Sequence, residues 1–397
     1  MLTYNIRNYF NKIIEHINKN KDVLFSILKP IANYRGIKTE IECATKTLKG
    51  GEDEIVRESP SIVEHLVVFY PTNVLLYSYI LYVIIPSIFF KKITIRPSHR
   101  DMEITEAVHE FFLPLLSNEC EINLLRCHQR KFISLTENAN VVVHTGQYEN
   151  TLRLKEFYKN SLFLYFGSGT NPFIIGRHSD IKKSVEDAIE SRLNNSGQDC
   201  MCQDCHFVHE TVFDEFLTFL TDKIKNFKFG ATHEDVDYSH IVYDSVFGIV
   251  QNFYSQNEKF CIHKGKCSIE ERRIDPFVFC FDKVKNLPYI NEFFAPIFVI
   301  IKYSSDHECN DWLLSERQLE RSMGLSVYGN INLHPKVFKH YIVSNNQSFM
   351  YLEDGNLPFG GYGRKSSIIS YNGEEYSKPI LISRKVRKFF GREDYYI

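Results

Sequence analysis

The chain has 397 residues, enough for two or three packed units with cores of their own. Apolar residues make up 44% of it and charged residues 24%, which is ordinary for a globular protein and excludes a disulfide-stapled miniprotein. The 47 basic and 49 acidic residues leave a formal net charge of −2, so binding to nucleic acid through overall charge is not expected. Ten cysteines without a secretory signal predict a reducing, cytoplasmic compartment.

The amino-terminal part of the sequence is predicted to be helical. Apolar residues recur with a period near 3.6 over 6–17 and again over 23–28, which predicts two amphipathic helices. A third helix is predicted over 36–50, where Gly50 and Gly51 are expected to end it.

An uncharged apolar run over 74–90 follows. At 17 residues it is short for a membrane span, and it contains Pro86 together with tyrosines and serines. The run therefore predicts a buried helix that is broken at the proline and followed by a strand, with no membrane span.

From residue 64 onward, short apolar runs alternate with helical stretches. The predicted strands are HLVVFY, KKITIR, EINLLRC, NVVVH and SLFLYF, then CHFVHE, DPFVFCF, APIFVIIKY and LSVYGNI, with helices over 102–116, 148–159, 180–194 and 212–225. Such alternation is typical of parallel sheets with helical crossovers. We predict an α/β fold with lobes over 1–170 and 171–375 and a cleft between them. A late strand and a basic tail are expected over 376–397.

The sharpest local pattern is NSGQDC, which ends at Cys200. A predicted helix runs into a polar, glycine-containing turn here, and a strand follows. A thiol on such a turn is accessible to an electrophile, and nearby backbone N–H groups favour its thiolate, so Cys200 is a candidate nucleophile. An isolated cysteine in an α/β protein is otherwise a small buried apolar residue.

The same segment also allows a zinc site. Cys200, Cys202 and Cys205 form C-x-C-x-x-C, and His206 and His209 follow closely. The histidines, however, belong to a predicted packed strand that would have to unravel to deliver them. We therefore expect no metal, and Cys202 and Cys205 are expected to be structural.

NSGQDC followed by FVHETVFDEFL resembles the active-site region of the aldehyde dehydrogenase superfamily. Further segments resemble that family in the same order, namely FYPTN, ITIRPSHRD, NVVVHTGQ, FGSGTNPFII, NEFFAPIFVI and LPFGGYGRKSS. The resemblance implies a Rossmann-type NAD(P)-binding lobe over 1–170 and a catalytic lobe over 171–375. It also implies an oxidoreductase that acts on an aldehyde or an acyl-thioester, with NAD or NADP as cofactor.

The resemblance assigns roles to individual residues. Cys200 would be the nucleophile, and the Asn73 amide with the Cys200 backbone N–H would donate to the oxyanion. Glu292 would bind the nicotinamide-side ribose, and Phe294 would pack beside it. The remaining implied positions are Arg96 and His99 at the adenosine ribose, Gly146 at the pyrophosphate and Phe359 in the substrate pocket.

The chain departs from the family pattern in three ways. The segment expected to carry the general-base glutamate has Tyr165, Phe166 and Gly167, so the pattern favours transfer of the acyl group to a thiol such as coenzyme A, as in an acyl-CoA reductase. Arg96 and His99 replace a lysine and a glutamate, which leaves both NAD and NADP open. The region before Asn73 is too short for the family's oligomerisation hairpin, although the predicted closing strand KPILISRKV is compatible with a homodimer.

Other readings of these residues stay open. The chain could be a hydrolytic aldehyde dehydrogenase that uses another base, or a non-catalytic member that serves as a binding subunit. Asn73 could cap a helix, Glu292 could be a surface carboxylate, and Phe359 could be a packing aromatic near a turn. Arg96 and His99 could be ordinary polar residues of a loop.

Overall fold

The computed structural model describes residues 2–231 and 233–391, with side chains described from residue 6 onward. The strands are β1 (Val63–Phe69), β2 (Phe90–Arg96), β3 (Glu121–Leu124), β4 (Val141–Thr145), β5 (Leu162–Phe166), β6 (Pro172–Ile175), β7 (Cys205–His209), β8 (Cys261–His263), β9 (Cys267–Ser268), β10 (Arg273–Ile274), β11 (Phe277–Phe281), β12 (Ile297–Tyr303), β13 (Gly324–Tyr328), β14 (Ile342–Asn345), β15 (Ser367–Tyr371) and β16 (Glu374–Tyr376). The α-helices are α1 (Leu2–Lys19), α2 (Lys21–Leu28), α3 (Tyr34–Glu58), α4 (Leu75–Tyr79), α5 (Met102–Phe112), α6 (Gln129–Thr136), α7 (Tyr148–Phe157), α8 (Ile181–Leu193), α9 (Phe213–Ile224), α10 (Asp244–Asn257), α11 (Asp306–Leu313), α12 (Glu316–Leu319) and α13 (Ile382–Phe390).

Two seven-stranded sheets organise the chain. The first has the order β16-β15-β5-β4-β1-β2-β3, and β1 to β5 are parallel. The second has the order β14-β13-β6-β7-β12-β11-β8, in which the antiparallel β8 adds one edge. The predicted α/β fold is confirmed, and so are the five strands predicted over 65–166 and the four predicted as CHFVHE, DPFVFCF, APIFVIIKY and LSVYGNI, which are β7, β11, β12 and β13; β6 was not predicted.

The order of the first sheet reverses beside β1. The chain adds β2 and β3 on one side of β1 and then crosses to add β4 and β5 on the other. In open parallel sheets, ligands bind outside the carboxyl ends of the strands at such a reversal. The segments after β1 and β4, which contain Asn73 and Gly146, therefore lie at the edge where this topology places a ligand-binding crevice.

The apolar run over 74–90 is buried, as predicted. After α4 the helix continues as a π-helical turn over Ile80–Ile84 and a short 3₁₀ turn over Pro86–Ile88, and β2 follows at once. Tyr79, Ile80 and Val83 are fully enclosed in the core of the first lobe. In the part of the chain that is described, no helix is both long enough and apolar enough to cross a bilayer.

Helix α3 does not end at its glycines, contrary to the prediction. It continues through them to Glu58. A Cβ on Gly51 would lie 2.6 Å from the Phe10 ring and 2.7 Å from Ile85, so the glycine allows close packing there and is not a helix stop. Only four residues separate Glu58 from β1, which leaves no room for a hairpin between them.

The predicted late strand is also wrong. Residues 382–390 form α13, because Ile382 and Val386 are spaced by one helical turn and both are buried against the first lobe. Two polar contacts fasten α13 to α3: Ser383 Oγ donates to Glu54 Oε1 at 2.6 Å, and Arg384 binds Glu58. The homodimer was expected because of this strand, so that support for it is removed. The end of the predicted basic tail, 392–397, lies outside the described residues.

The carboxyl-terminal part of the chain returns to the first lobe. Strands β15 and β16 pair onto β5, although the sequence assigned residues up to 375 to the second lobe. The alternation of strands and helices cannot reveal this return, because a strand's sequence does not identify which sheet edge it will join.

Candidate active site

A strained turn presents Cys200. After α8, Asn195, Ser196 and Gly197 adopt left-handed backbone angles in succession, with φ of 44°, 59° and 83°. Such angles are costly for residues other than glycine and persist only where the surroundings impose them.

Gln198 and Arg192 impose this conformation. The Gln198 side chain accepts from the backbone N–H of Val242 at 2.7 Å and donates to the carbonyl of His240 at 3.1 Å. Arg192 Nη2 donates to the carbonyl oxygens of Gly197 and Ala295, at 3.2 and 2.7 Å. We call residues 195–200, which carry the candidate nucleophile, the nucleophile turn. Hydrogen bonds therefore hold it from two sides.

Cys200 itself is half-buried, and the polypeptide after β5 supports it. Asn171 Nδ2 donates to the carbonyl oxygens of Cys200 at 2.7 Å and Cys202 at 3.1 Å, while Asn171 Oδ1 accepts from the Gly324 N–H. One asparagine thus ties the nucleophile turn to β13.

The electrostatic surroundings disfavour a resting thiolate. Burial raises the pKa of the Cys200 thiol well above its ordinary value, and the carboxyl groups of Asp199, Glu292 and Glu353 raise it further. Cys200 is therefore a neutral thiol in this state, and a group that accepts its proton is required for attack.

Asn73 lies beside this turn, as the sequence predicts for an oxyanion donor. Its Nδ2 donates to the Gln198 carbonyl at 3.2 Å, two residues from Cys200. It does not cap the helix that follows it: the N–H groups of Leu76 and Tyr77 donate instead to Glu40 Oε2 at 2.9 and 3.3 Å. The capping interpretation is wrong for Asn73, because a carboxylate from α3 takes that place.

Glu292 faces the segment after β5. Ser168 Oγ donates to Glu292 Oε2 at 2.5 Å, and Oε1 is buried with no hydrogen-bond partner among the described residues. Burial raises the pKa of Glu292 to about 8, and the Asp204 carboxyl adds to this. Glu292 is therefore not a surface carboxylate. Phe294, with a left-handed φ of 46°, packs edge-on against Tyr243 with ring centres 5.6 Å apart.

The predicted adenosine and pyrophosphate residues lie along the carboxyl edge of the first sheet. Arg96 ends β2 and its Nε donates to the Cys127 carbonyl at 3.3 Å, while His99 is exposed in the loop after it. Gly146 lies between β4 and the start of α7, whose first turn has no side-chain cap. The N–H groups at the start of α7 have no side-chain cap and can bind a phosphate at this reversal of the sheet. The unpartnered Oε1 of Glu292 can accept from a ribose hydroxyl. Together these two features suit a dinucleotide.

The segment over 165–167 carries no carboxylate and is closely packed. The Tyr165 hydroxyl donates to the Gly146 carbonyl at 3.0 Å, and Phe166 stacks on Phe359 with ring centres 4.8 Å apart. A Cβ at Gly167 would lie 2.2 Å from the Lys365 carbonyl oxygen. Phe359 thus packs against the hydrophobic core of the first lobe. Its predicted place in the substrate pocket stays a prediction.

Sequence reasoning missed Glu353. It is half-buried, and the Tyr77 hydroxyl donates to its Oε1 at 2.7 Å. Burial raises the pKa of Glu353 to about 7. Its position five residues before the PFGG motif gave no signal, because only the return of the chain over α3 and α4 brings it near Cys200.

The cysteine and histidine cluster is part of the packed interior. His206 lies within β7 between the Phe173 and Phe298 rings, and the Cys202 thiol contacts the Asn194 carbonyl at 3.7 Å. Among the described residues, no three His, Cys, Asp or Glu side chains are grouped as metal ligands would be.

Comparison with known proteins identifies the family. The model of the aldehyde dehydrogenase family matches residues 128–379. The chain belongs to the aldehyde dehydrogenase family. Its resemblance to that family, first visible in the order of its motifs, is thereby confirmed.

Relatives within the aldehyde dehydrogenase family are distant. Aldehyde dehydrogenase 1 of Entamoeba histolytica is 25% identical over 225 residues, which are 54% of this chain and 41% of the relative. The 4,4'-diapolycopene-4,4'-dial dehydrogenase of Cytobacillus firmus is 28% identical over 213 residues, 52% of this chain and 45% of the relative. The chain therefore spans about half the length of the curated relatives that it matches.

Solved aldehyde dehydrogenases share the fold more completely. The structure of succinic semialdehyde dehydrogenase from Streptococcus pyogenes in complex with NADP+ has a TM-score of 0.80 at 14% identity, covering 95% of this chain and 90% of that one. Glyceraldehyde-3-phosphate dehydrogenase GapN from Methanocaldococcus jannaschii, complexed with NADP, has a TM-score of 0.74 at 19% identity, covering 96% and 90%. At these identities the likeness concerns the fold.

Proposed function

We propose that the protein is an NAD(P)-dependent aldehyde oxidoreductase that works through a covalent adduct on Cys200. The observation that carries this proposal is the position of Cys200 on a turn of left-handed residues, with the Asn73 amide bound to the carbonyl two residues before it. A side-chain amide and a backbone N–H at a thiol are what a tetrahedral oxyanion requires.

The roles of the chain's own residues follow from this arrangement. Cys200 passes its thiol proton to a neighbouring carboxylate, Glu292 or Glu353, and Sγ attacks the carbonyl carbon of an aldehyde or a thioester to form a tetrahedral adduct. Asn73 Nδ2 leaves Gln198 and donates, with the Cys200 N–H, to the oxygen that gains charge. Asn171 keeps the nucleophile's backbone fixed while this happens.

The crevice beside β1 and β4 would hold the nicotinamide cofactor. Glu292 Oε1 would accept from a ribose hydroxyl, since it is a buried acceptor without a partner among the described residues. Gly146 and the start of α7 would face the pyrophosphate, and Arg96 and His99 would lie towards the adenosine ribose. When bound, the nicotinamide supplies the hydride acceptor or donor.

We further propose that the acyl group leaves Cys200 to a thiol such as coenzyme A, which makes the enzyme an acyl-CoA reductase in the reverse direction. The support is the absence of a carboxylate over 165–167, where Phe166 is stacked and Gly167 has no space for a side chain. A hydrolytic aldehyde dehydrogenase is the alternative within the same chemistry, and a non-catalytic binding subunit is the alternative outside it. The ten free cysteines support a reducing, cytoplasmic compartment.

The test is the absorbance of reduced nicotinamide with purified protein, NADH or NADPH, and a panel of acyl-CoA thioesters, followed by aldehydes with and without coenzyme A. Thioester-dependent oxidation that is lost in Cys200→Ala and kept in Cys267→Ser supports the proposal. Carboxylic acid formed equally fast without coenzyme A would favour the hydrolytic alternative. Cofactor binding without any turnover would favour the binding subunit.

A further inference from the structure

Three carboxyl groups, Asp199, Glu292 and Glu353, interact electrostatically with the nucleophilic thiol. Asp199 is engaged within the turn itself, because its Oδ1 accepts from the Met201 N–H and its Oδ2 accepts from the Asn194 amide, which leaves Glu292 and Glu353. Resolving a thioester on Cys200 requires a base that takes the proton of the incoming nucleophile. The segment over 165–167 supplies none, so the question is which of the two carboxyl groups can do so.

Glu292 is brought to the segment that lacks a carboxylate. Ser168, the residue directly after 165–167, donates to Glu292 Oε2 at 2.5 Å. Three residues further on, Asn171 donates to the carbonyl of Cys200 at 2.7 Å. The segment over 168–171 therefore binds both the Glu292 side chain and the backbone of Cys200.

The two oxygens of Glu292 are not equivalent. Oε2 is fixed by Ser168, whereas Oε1 is buried and accepts no hydrogen bond from the described residues. A buried acceptor oxygen without a partner is costly unless a ligand or a reacting group uses it. Glu353 likewise accepts one hydroxyl, from Tyr77 on Oε1, but among the described residues neither of its oxygens is a buried acceptor without a partner.

We propose that the Glu292 carboxylate is the general base that takes the proton of an attacking thiol when the acyl group leaves Cys200. The thiol's S–H proton passes to Oε1, a new bond forms between the thiol sulfur and the acyl carbon, and the bond from that carbon to Cys200 Sγ breaks. Oε1 then returns the proton to the departing Cys200 Sγ, which leaves as the neutral thiol, and no electrons are exchanged with a redox partner. This inference rests on the proposed function and extends Glu292 beyond ribose binding. Because Oε1 is the same oxygen that would accept from the ribose hydroxyl, the thiol attacks after the nicotinamide has left.

The acidity of Glu292 matches a thiol better than it matches water. Burial raises its pKa to about 8, close to the ordinary thiol value of about 8.5. Water is a far weaker acid than a thiol and is therefore a much poorer proton donor to this carboxylate. Brønsted behaviour therefore favours a thiol as the nucleophile that Glu292 activates.

The experiment forms the acyl-enzyme without nicotinamide. The full chain is acylated with p-nitrophenyl acetate, release of p-nitrophenolate reports acylation, and intact-protein mass spectrometry follows loss of the acetyl group with and without coenzyme A. We expect Glu292→Gln to be acylated but to lose the acetyl group to coenzyme A about 100-fold more slowly, while the matched Glu353→Gln is not slowed and the exposed control Glu64→Gln keeps the wild-type rate within a few-fold. Equal rates in Glu292→Gln and wild type, or slowing confined to Glu353→Gln, would overturn the proposal.

A second variant keeps the test decisive if Glu292→Gln does not fold. The Ser168 hydrogen bond lowers the pKa of Glu292, so Ser168→Ala should move the rise of the deacylation rate with pH to higher pH. An unmoved profile would contradict the proposal. Wild-type deacylation by water as fast as by coenzyme A would also contradict it. If only the nicotinamide assay fails, the deacylation rates still test the role of Glu292. If the wild-type protein cannot be acylated, both the proposed function and the role of Glu292 are contradicted.

Discussion

Arg192 Nη1 lies 3.4 Å from Asp204 Oδ1, and the two side chains are only 1% and 2% exposed. The same guanidinium also donates to the Gly197 and Ala295 carbonyl oxygens. A single buried ion pair thus joins the end of α8, the nucleophile turn and the loop that carries Glu292.

We expect Arg192→Met to destabilise the protein by about 3–5 kcal/mol, because it leaves the Asp204 carboxylate buried without its partner. Urea denaturation followed by circular dichroism measures this. Arg35→Met, which breaks the exposed pair with Asp237, is the control and should cost under about 1 kcal/mol. If the double variant with Asp204→Asn is no more stable than Arg192→Met, the ion pair is not the cause.

The Cys200 thiol should react slowly with iodoacetamide near neutral pH, because its raised pKa leaves little thiolate. The rate should continue to increase with pH beyond the point where an ordinary thiol levels off. Glu353→Gln removes a nearby negative charge and should accelerate alkylation at pH 8 by up to about tenfold, the effect of one pKa unit. Peptide mapping of the label measures the rate at Cys200, and an unchanged or slower rate would contradict the electrostatic assignment.

Asn73→Ala should lower kcat by about 10²–10³-fold, as expected when one oxyanion donor is lost. The Tm should change little, because the helix start beside it is held by Glu40 and not by Asn73. Steady-state kinetics and a thermal melt of the same preparation separate the two effects. A large loss of Tm with kcat preserved would assign Asn73 a structural role.

The contact between α13 and α3 should make stability depend on acid pH. Hydrogen bonds from Arg384 lower the pKa of Glu58 to about 2 from an ordinary value near 4.5. Its contribution to stability is therefore complete above pH 4.5 and is lost as the pH falls towards 2. Glu58→Gln should have a lower Tm than wild type at pH 7, and the difference should shrink with acidification.

Glu64→Gln serves as the control for this prediction, because Glu64 and its partner Lys91 are both exposed. Its Tm should follow that of the wild type at every pH. A Glu58→Gln deficit that is independent of pH would show that packing, and not charge, holds α13 in place.

Local patterns in the sequence determined many of the strands and helices of both lobes, because burial on a parallel sheet requires continuous apolar runs and crossover helices require a 3.6-residue period. Strand β6 and helices α6 and α10 were not predicted. The motif around Cys200 likewise identified the turn, since the polar, glycine-containing segment over 195–199 immediately precedes the cysteine. These features depend on neighbours within a few residues, and they were predicted correctly.

Only the tertiary structure decided the rest. Gly50 and Gly51 predicted the end of a helix, but α3 continues through them. Gly51 allows Phe10 to pack closely against the helix, because a Cβ there would lie 2.6 Å from the Phe10 ring. The last apolar segment forms α13, which Glu54 and Glu58 of α3 stabilise by accepting hydrogen bonds from Ser383 and Arg384. Glu353 interacts electrostatically with Cys200, and Glu292 accepts a hydrogen bond from Ser168, although each pair is more than 100 positions apart in the sequence. Such contacts leave no periodic trace, since they depend on how whole elements pack and not on the residues beside them.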